Sequence, residues 1–246
     1  MNRVAQLSSS AAPNYNSCVS DSVAPSLETL LGGVLGRHDS TSWTREVLAS
    51  VARETSFDRI VVPYGAAQRR LRGVALQLGE EEESAFRALG AEMLAARGAA
   101  ASFRALLLLT ACRSSAVEQR VEIVDRVFRT GDNDERIDLL VTLPFLPSPA
   151  DFAEIAVEAC RSNVRDVFAA IACENDFPSR WFSDAAFNQM VMKALFSSVD
   201  LSRIHGLEAR VNPELRRMAA DYAAERRAAN RSVPNDIAVY LEGVQP

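Results

Sequence analysis

A single lysine, Lys193, stands among 27 basic residues, all the others being arginine. It lies in the apolar stretch "FNQMVMKALF". At 100° per residue, Phe187, Met190, Val191, Ala194 and Leu195 cover one side of a helix, and Asn188, Met192 and Phe196 extend the burial around it. Gln189 and Lys193, one turn apart, form its narrow polar stripe, which either reaches solvent or lines a cavity. A position that keeps lysine where arginine serves elsewhere points to a need for a compact charge or for an amine that can lose its proton. In a desolvated pocket such an amine acts as a general base or forms a Schiff base with a carbonyl. The plainer reading, which carries more weight for one residue, is a lysine whose stem lies along apolar surface while its tip reaches water.

A second stretch, "EACRSNVRDVFAAIACENDFP", adds Asn163, Cys173 and Asn175. Val167, Phe168 and Ile171 make one face of its helix, and Ala169, Ala170 and Cys173 make a small-residue strip opposite, so the helix is expected to be packed on two sides. Asn163 and Asn175 at its ends read first as caps and second as amides that orient a ligand. Asn163, Cys173, Asn175, Asn188, Gln189 and Lys193 are therefore the candidate ligand-binding residues. The acidic loop "GDNDER" reads as a helix cap, because carboxylates are favoured at helix N-termini and the spacing of a calcium loop is missing. In "NPELRRMAADYAAERRAANRSVPNDI", Asn212 is the expected N-cap and Pro213 the first helical residue. Glu214, Arg217, Asp221 and Glu225 there read as solvated charge pairs rather than a catalytic dyad.

No glycine-rich phosphate loop, G-x-S-x-G or H-E-x-x-H is present. His38 and His205 are the only histidines, and neither has a recognisable nucleophile context. The four cysteines, Cys18, Cys112, Cys160 and Cys173, contain no CxxC pair, so no metal, no cofactor and no disulfide framework is implied. A net charge of −5 argues against general nucleic-acid binding. The apolar run from Ala105 to Cys112 falls short of the roughly 20 residues that cross a bilayer. A cytoplasmic protein without a transmembrane segment is the resulting expectation.

The elements that must position these residues are short helices. The 246 residues, 48% of them hydrophobic, suffice for one large domain. Helical periodicity is expected over 26–35, 44–54, 68–78, 81–96, 103–112 and 117–128, and then more sharply from residue 132 on. Only "DRIVVPY" reads as extended, ending at Pro63. The expected fold is all-α, an irregular array of antiparallel helix pairs, with a curved HEAT-like stack as one form of it. Residues 1–24 read as a flexible Ser-rich tail and 25–246 as a single helical domain, Gly98 being the best candidate for any further boundary.

The three quoted stretches, with Gln189, Met190 and Lys193 to Phe196 followed by Asn212, Pro213 and Glu214, resemble the EboA family over roughly residues 100 to 237. The family has no established catalytic activity to carry over. The resemblance implies a role beside other products of the ebo gene cluster, which are similar to a membrane prenyltransferase, a metal-dependent hydrolase, a sugar-isomerase-like barrel and a dehydroquinate-synthase-like enzyme. It implies handling of a small metabolite on its way to the periplasm, as with precursors of an indolic pigment. Two functions follow as expectations: a noncatalytic helical scaffold or small-molecule carrier, or an enzyme or sensor whose apolar pocket contains Lys193.

Overall fold

A computed structural model describes residues 20–37 and 42–241. The Ser-rich start through residue 19 with Cys18, residues 38–41 with His38, and the last five residues lie outside the described residues. The chain is all-α, and no strand occurs among the described residues. The first part contains α1 (Ser20–Gly36), α2 (Ser42–Arg53), α3 (Phe57–Arg70), α4 (Glu80–Ala88), α5 (Glu92–Ala96) and α6 (Gly98–Arg113). Then come α7 (Val117–Thr130), α8 (Asn133–Thr142), α9 (Ala153–Cys160), α10 (Arg165–Ala172) and α11 (Phe177–Trp181). The last are α12 (Asp184–Phe196), α13 (Leu207–Arg210) and α14 (Pro213–Ala228).

The residues of α6 from Ala99 to Leu109 are all buried, as expected of a helix that is apolar all round. It packs against α1, α2, α3, α5, α7 and α8. The double-faced helix of the "VFAAIAC" stretch, α10, has the same role further along, where it packs against α8, α9, α11 and α12. Gly98, at φ +84°, makes the left-handed step from α5 into α6. One apolar cluster runs from Leu27 to Leu241.

Several local expectations are corrected. "DRIVVPY" is helical, with Pro63 inside α3. Its β-branched run resembles a strand, but Ile60, Pro63, Tyr64 and Ala67 are buried at the i, i+3, i+4, i+7 spacing of a helix face packed on α6. Tertiary packing here outweighs both local propensity and the hydrogen bond that proline forgoes. The helix expected over 68–78 does not form, because α3 ends at Arg70 and the chain turns through Gly73 at φ +78°. The helix expected over 81–96 is divided at Gly90, at φ +68°, into α4 and α5. Phe196, expected inside, is 59% exposed, with its ring edge-on to Tyr222 at 4.7 Å.

Caps explain the well-read part. Asp132 Oδ1 accepts from the Glu135 N–H at 2.9 Å and Glu135 Oε2 accepts from the Asp132 N–H at 3.1 Å, a reciprocal capping box that starts α8. "GDNDER" is therefore a helix start, as its composition indicated. Asn212 Oδ1 accepts from the Leu215 N–H at 3.0 Å, with Pro213 in the first turn of α14. Asn163 does not cap α10: it is exposed, Val164 occupies the cap position, and Ser162 Oγ accepts from the Val164 N–H at 3.1 Å. The bend falls at Asn163, and α10 starts at Arg165, one residue later than expected.

Candidate functional site

The lone lysine serves the end of another helix. Lys193 Nζ donates to the carbonyls of Cys160 and Ser162, each at 2.6 Å, and lies 4.9 Å from the centroid of Phe168. Those carbonyls stand at and just beyond the C-terminus of α9, where orphan acceptors and the helix dipole both favour a cation. A compact ammonium can point two donors at two convergent acceptors from a half-buried stem. Gln189, one turn earlier, is exposed.

Asn188 is buried and pairs with Asn212: its Nδ2 donates to Asn212 Oδ1 at 3.1 Å, and Asn212 Nδ2 donates to Asn188 Oδ1 at 2.9 Å. The pair ties α12 to the cap of α14, so the "FNQM" and "NPE" motifs meet in space. Cys173 is buried, and burial pushes its thiol up. The same cause pushes Cys160 up to about 12. The six candidates do not converge on one point: Lys193 closes the end of α9, Asn188 joins two helices, and Gln189 and Asn163 face outward.

Asn175 leads to a different place. It lines a cavity of about 360 Å³ formed by four separated segments. The buried floor is Leu94, Val141 and Phe145, with Leu89, Met93 and Pro144 beside them. Glu92, Glu174, Asn175, Asp176, Arg180 and His205 make the polar side, with Glu92, Glu174, Arg180 and His205 exposed. Asn175 builds the wall: Nδ2 donates to Leu140 O at 3.2 Å and to Ala170 O at 2.9 Å, while Oδ1 accepts from the Phe177 N–H at 3.0 Å. Arg180 Nη1 donates to Asp176 Oδ2 at 3.0 Å and keeps further donors free for a guest.

Backbone strain fixes this polar side. Glu174 has φ +48°, costly for a residue with a Cβ. Its N–H donates to Arg203 O at 2.8 Å, and its carboxylate accepts from Arg203 Nε and Nη2 at 2.7 and 2.8 Å. Three bonds to one residue hold the left-handed step and anchor the segment that carries His205. Gly206 follows at φ +69°, and a Cβ there would sit 2.8 Å from Ser179 Cβ. Only glycine satisfies both the dihedral and the close approach. Ser179 Oγ donates to Asp176 O at 2.8 Å and lies 3.4 Å from His205 Nδ1. That hydroxyl is thus directed at a carbonyl, which is a poor start for a nucleophile. The nearness of Ser179 and His205 was invisible in the sequence, although a histidine followed by glycine in "RIHGLEAR" was a signal.

The sequence also concealed a buried ionic group. Arg104 and Asp138 are 1% and 2% exposed. Arg104 Nη1 donates to Asp138 Oδ2 at 2.6 Å and Nε donates to Tyr64 O at 2.9 Å. Arg97 Nε donates to the other oxygen of Asp138, and Tyr64 Oη donates to Glu135 O at 2.9 Å. Burial first, and then the Asp138 charge, raise the Tyr64 phenol well above its ordinary range. Each charge in this group has a partner, so it joins α3, α6 and α8 and presents no reactive site. A charged residue inside "FRALLLLTAC" was its visible trace.

Among the described residues no group of histidine, cysteine and carboxylate side chains could hold a metal, and no helix is long and apolar enough to cross a membrane. No curated protein and no solved structure matches the chain. A family model described as metabolite traffic protein EboA matches residues 28–242. That span contains the capped lysine helix, the paired asparagines and every side chain of the cavity, and the chain belongs to the EboA family of metabolite traffic proteins.

Proposed function

We propose that the chain is a noncatalytic small-molecule carrier, with a single helical domain from residue 25, that works in the cytoplasm. Its guest is a secondary-metabolite precursor on its way to the periplasm, received from and passed to other proteins of the same gene cluster. The observation that carries this reading is the cavity of about 360 Å³, whose buried lining is apolar apart from Asn175 and whose ionisable groups are all at least partly exposed. That size lies within the range of small-molecule sites, and helix bundles commonly form such sites between their members.

The distribution of polar groups favours holding over reacting. Asn175 is committed to three backbone partners, Glu174 to Arg203, and Asp176 to Arg180. Arg180 and His205 remain to meet an acceptor-bearing end of the guest, while its apolar body rests on Leu94, Val141 and Phe145. Lys193, bound to two carbonyls, is in this reading a structural clamp. Native mass spectrometry of protein purified from the producing cells tests the proposal. One noncovalent guest per chain is expected in the wild type and none in Met93→Trp, whose indole would occupy the floor.

A further inference from the structure

A second concavity, which shares no residue with the cavity, lies between α2 and α3. Trp43, Val47 and Ser50 recur at i, i+4, i+7 along α2, and Val62, Ala66 and Arg70 recur at i, i+4, i+8 along α3. They enclose a groove of about 460 Å³. Trp43 is fixed from below by Phe103, with ring centroids 4.9 Å apart, and the Arg70 guanidinium lies 5.7 Å from its ring centroid. Val62 is 67% exposed in the groove wall. An apolar strip of this kind, sunk between two helices, has the form that receives the apolar stripe of a third helix.

The charge of the rim selects the partner. Residues 42–72 contain six arginines against three carboxylates, in a chain whose net charge is −5. The groove itself is lined by Arg59, Arg69 and Arg70 against one carboxylate, Asp58, and Arg59 is paired with Glu54 at 2.6 Å. Arg69 and Arg72 have no ion pair among the described residues. A basic rim around an apolar floor is complementary to a helix with acidic flanks. A membrane surface is favoured less, because lipid docking uses apolar side chains that project from a convex face, whereas this floor is recessed.

We propose that the α2–α3 groove docks an acidic amphipathic helix of a partner protein. A synthetic labelled peptide of about three turns tests this, with leucines at i, i+4 and i+7 and glutamates on the flanks. A second peptide carries lysines in place of the glutamates. Fluorescence anisotropy with the full-length protein is expected to show the glutamate peptide binding about ten-fold or more tightly than the lysine peptide, and weakening with salt. The double substitution Arg69→Glu and Arg70→Glu should invert the preference, and Val62→Asp should weaken both peptides. All three residues are exposed, so each variant should still melt in one cooperative transition, the double variant slightly lower because it puts carboxylates in the last turn of α3. Equal affinity for the two peptides, binding of neither, or an unchanged preference in the double variant would overturn the proposal. So would flotation with vesicles of phosphatidylcholine and phosphatidylglycerol by a protein that ignores the peptide.

Discussion

Lys193 shows how a rare residue type can be explained without chemistry at the amine. Its ammonium joins two carbonyls at the end of α9 and faces the Phe168 ring, so its value lies in the donors. Lys193→Met keeps the stem and removes both bonds, and should lower stability in urea titrations by about 2 kcal/mol. Lys193→Arg should lose less, since the charge survives but the planar fork fits two convergent acceptors less well. An unchanged midpoint in the methionine variant would mean that the amine faces water. The buried thiols give a pH dependence. Burial, only partly offset by attraction from nearby cations, pushes Cys112 and Cys160 up to about 12. In the unfolded chain they ionise near 8.5, so the unfolded form binds fewer protons above that pH. Their contribution is therefore fully present at neutral pH and is lost as pH rises from about 8.5 towards 12. Both thiols should also resist alkylation at pH 8 in the folded protein and react once urea unfolds it, as counted by mass spectrometry.

At the scale of elements, the ionic group between α3, α6 and α8 should behave as a unit. Asp138→Asn leaves Arg104 in the core with only its longer ion pair to Glu135 at 3.5 Å, and should cost about 3 kcal/mol. Arg104→Met leaves Asp138 with Arg97 alone and should also be costly. The double variant Arg104→Met with Asp138→Leu should be more stable than the sum of the two losses predicts, by at least about 1 kcal/mol in a denaturation cycle. Strict additivity would show that the pair is not coupled. The elements were legible to different degrees for physical reasons. Periodic stretches with a proper cap, such as α8, α12 and α14, could be read directly, because cap and stripe are local. α3 was not, because its β-branched run and proline carry a strand signal that only contact with α6 overrides. Gly73 and Gly90 each interrupt an apparently continuous stripe, and single glycines inside a periodic pattern do not announce whether they will take positive φ.

At the scale of the whole molecule, the candidate site was mostly illegible. Of the six residues singled out, Asn175 lines the cavity, and it does so through its neighbours rather than by offering a free amide. The cavity depends on residues 88–94, 141–145, 174–180 and 205 coming together, and no local pattern encodes that meeting. It depends too on a left-handed Glu174 held by Arg203 and on a glycine at 206 that lets one loop touch another. The family motifs around Lys193 and Asn212, by contrast, were visible as unusual strings, and their work is to bind α9, α12 and α14 into the frame that carries the 174–180 segment. Such a frame suits the carrier role proposed above, in which a helical body would keep a recess open for a guest. The most direct measurement is native mass spectrometry of wild type and Met93→Trp purified side by side from producing cells. The wild type should retain one small molecule that dissociates on unfolding, and the variant, equally folded, should be empty. A wild type that arrives empty from those cells, or a variant that retains the same guest, would contradict the account.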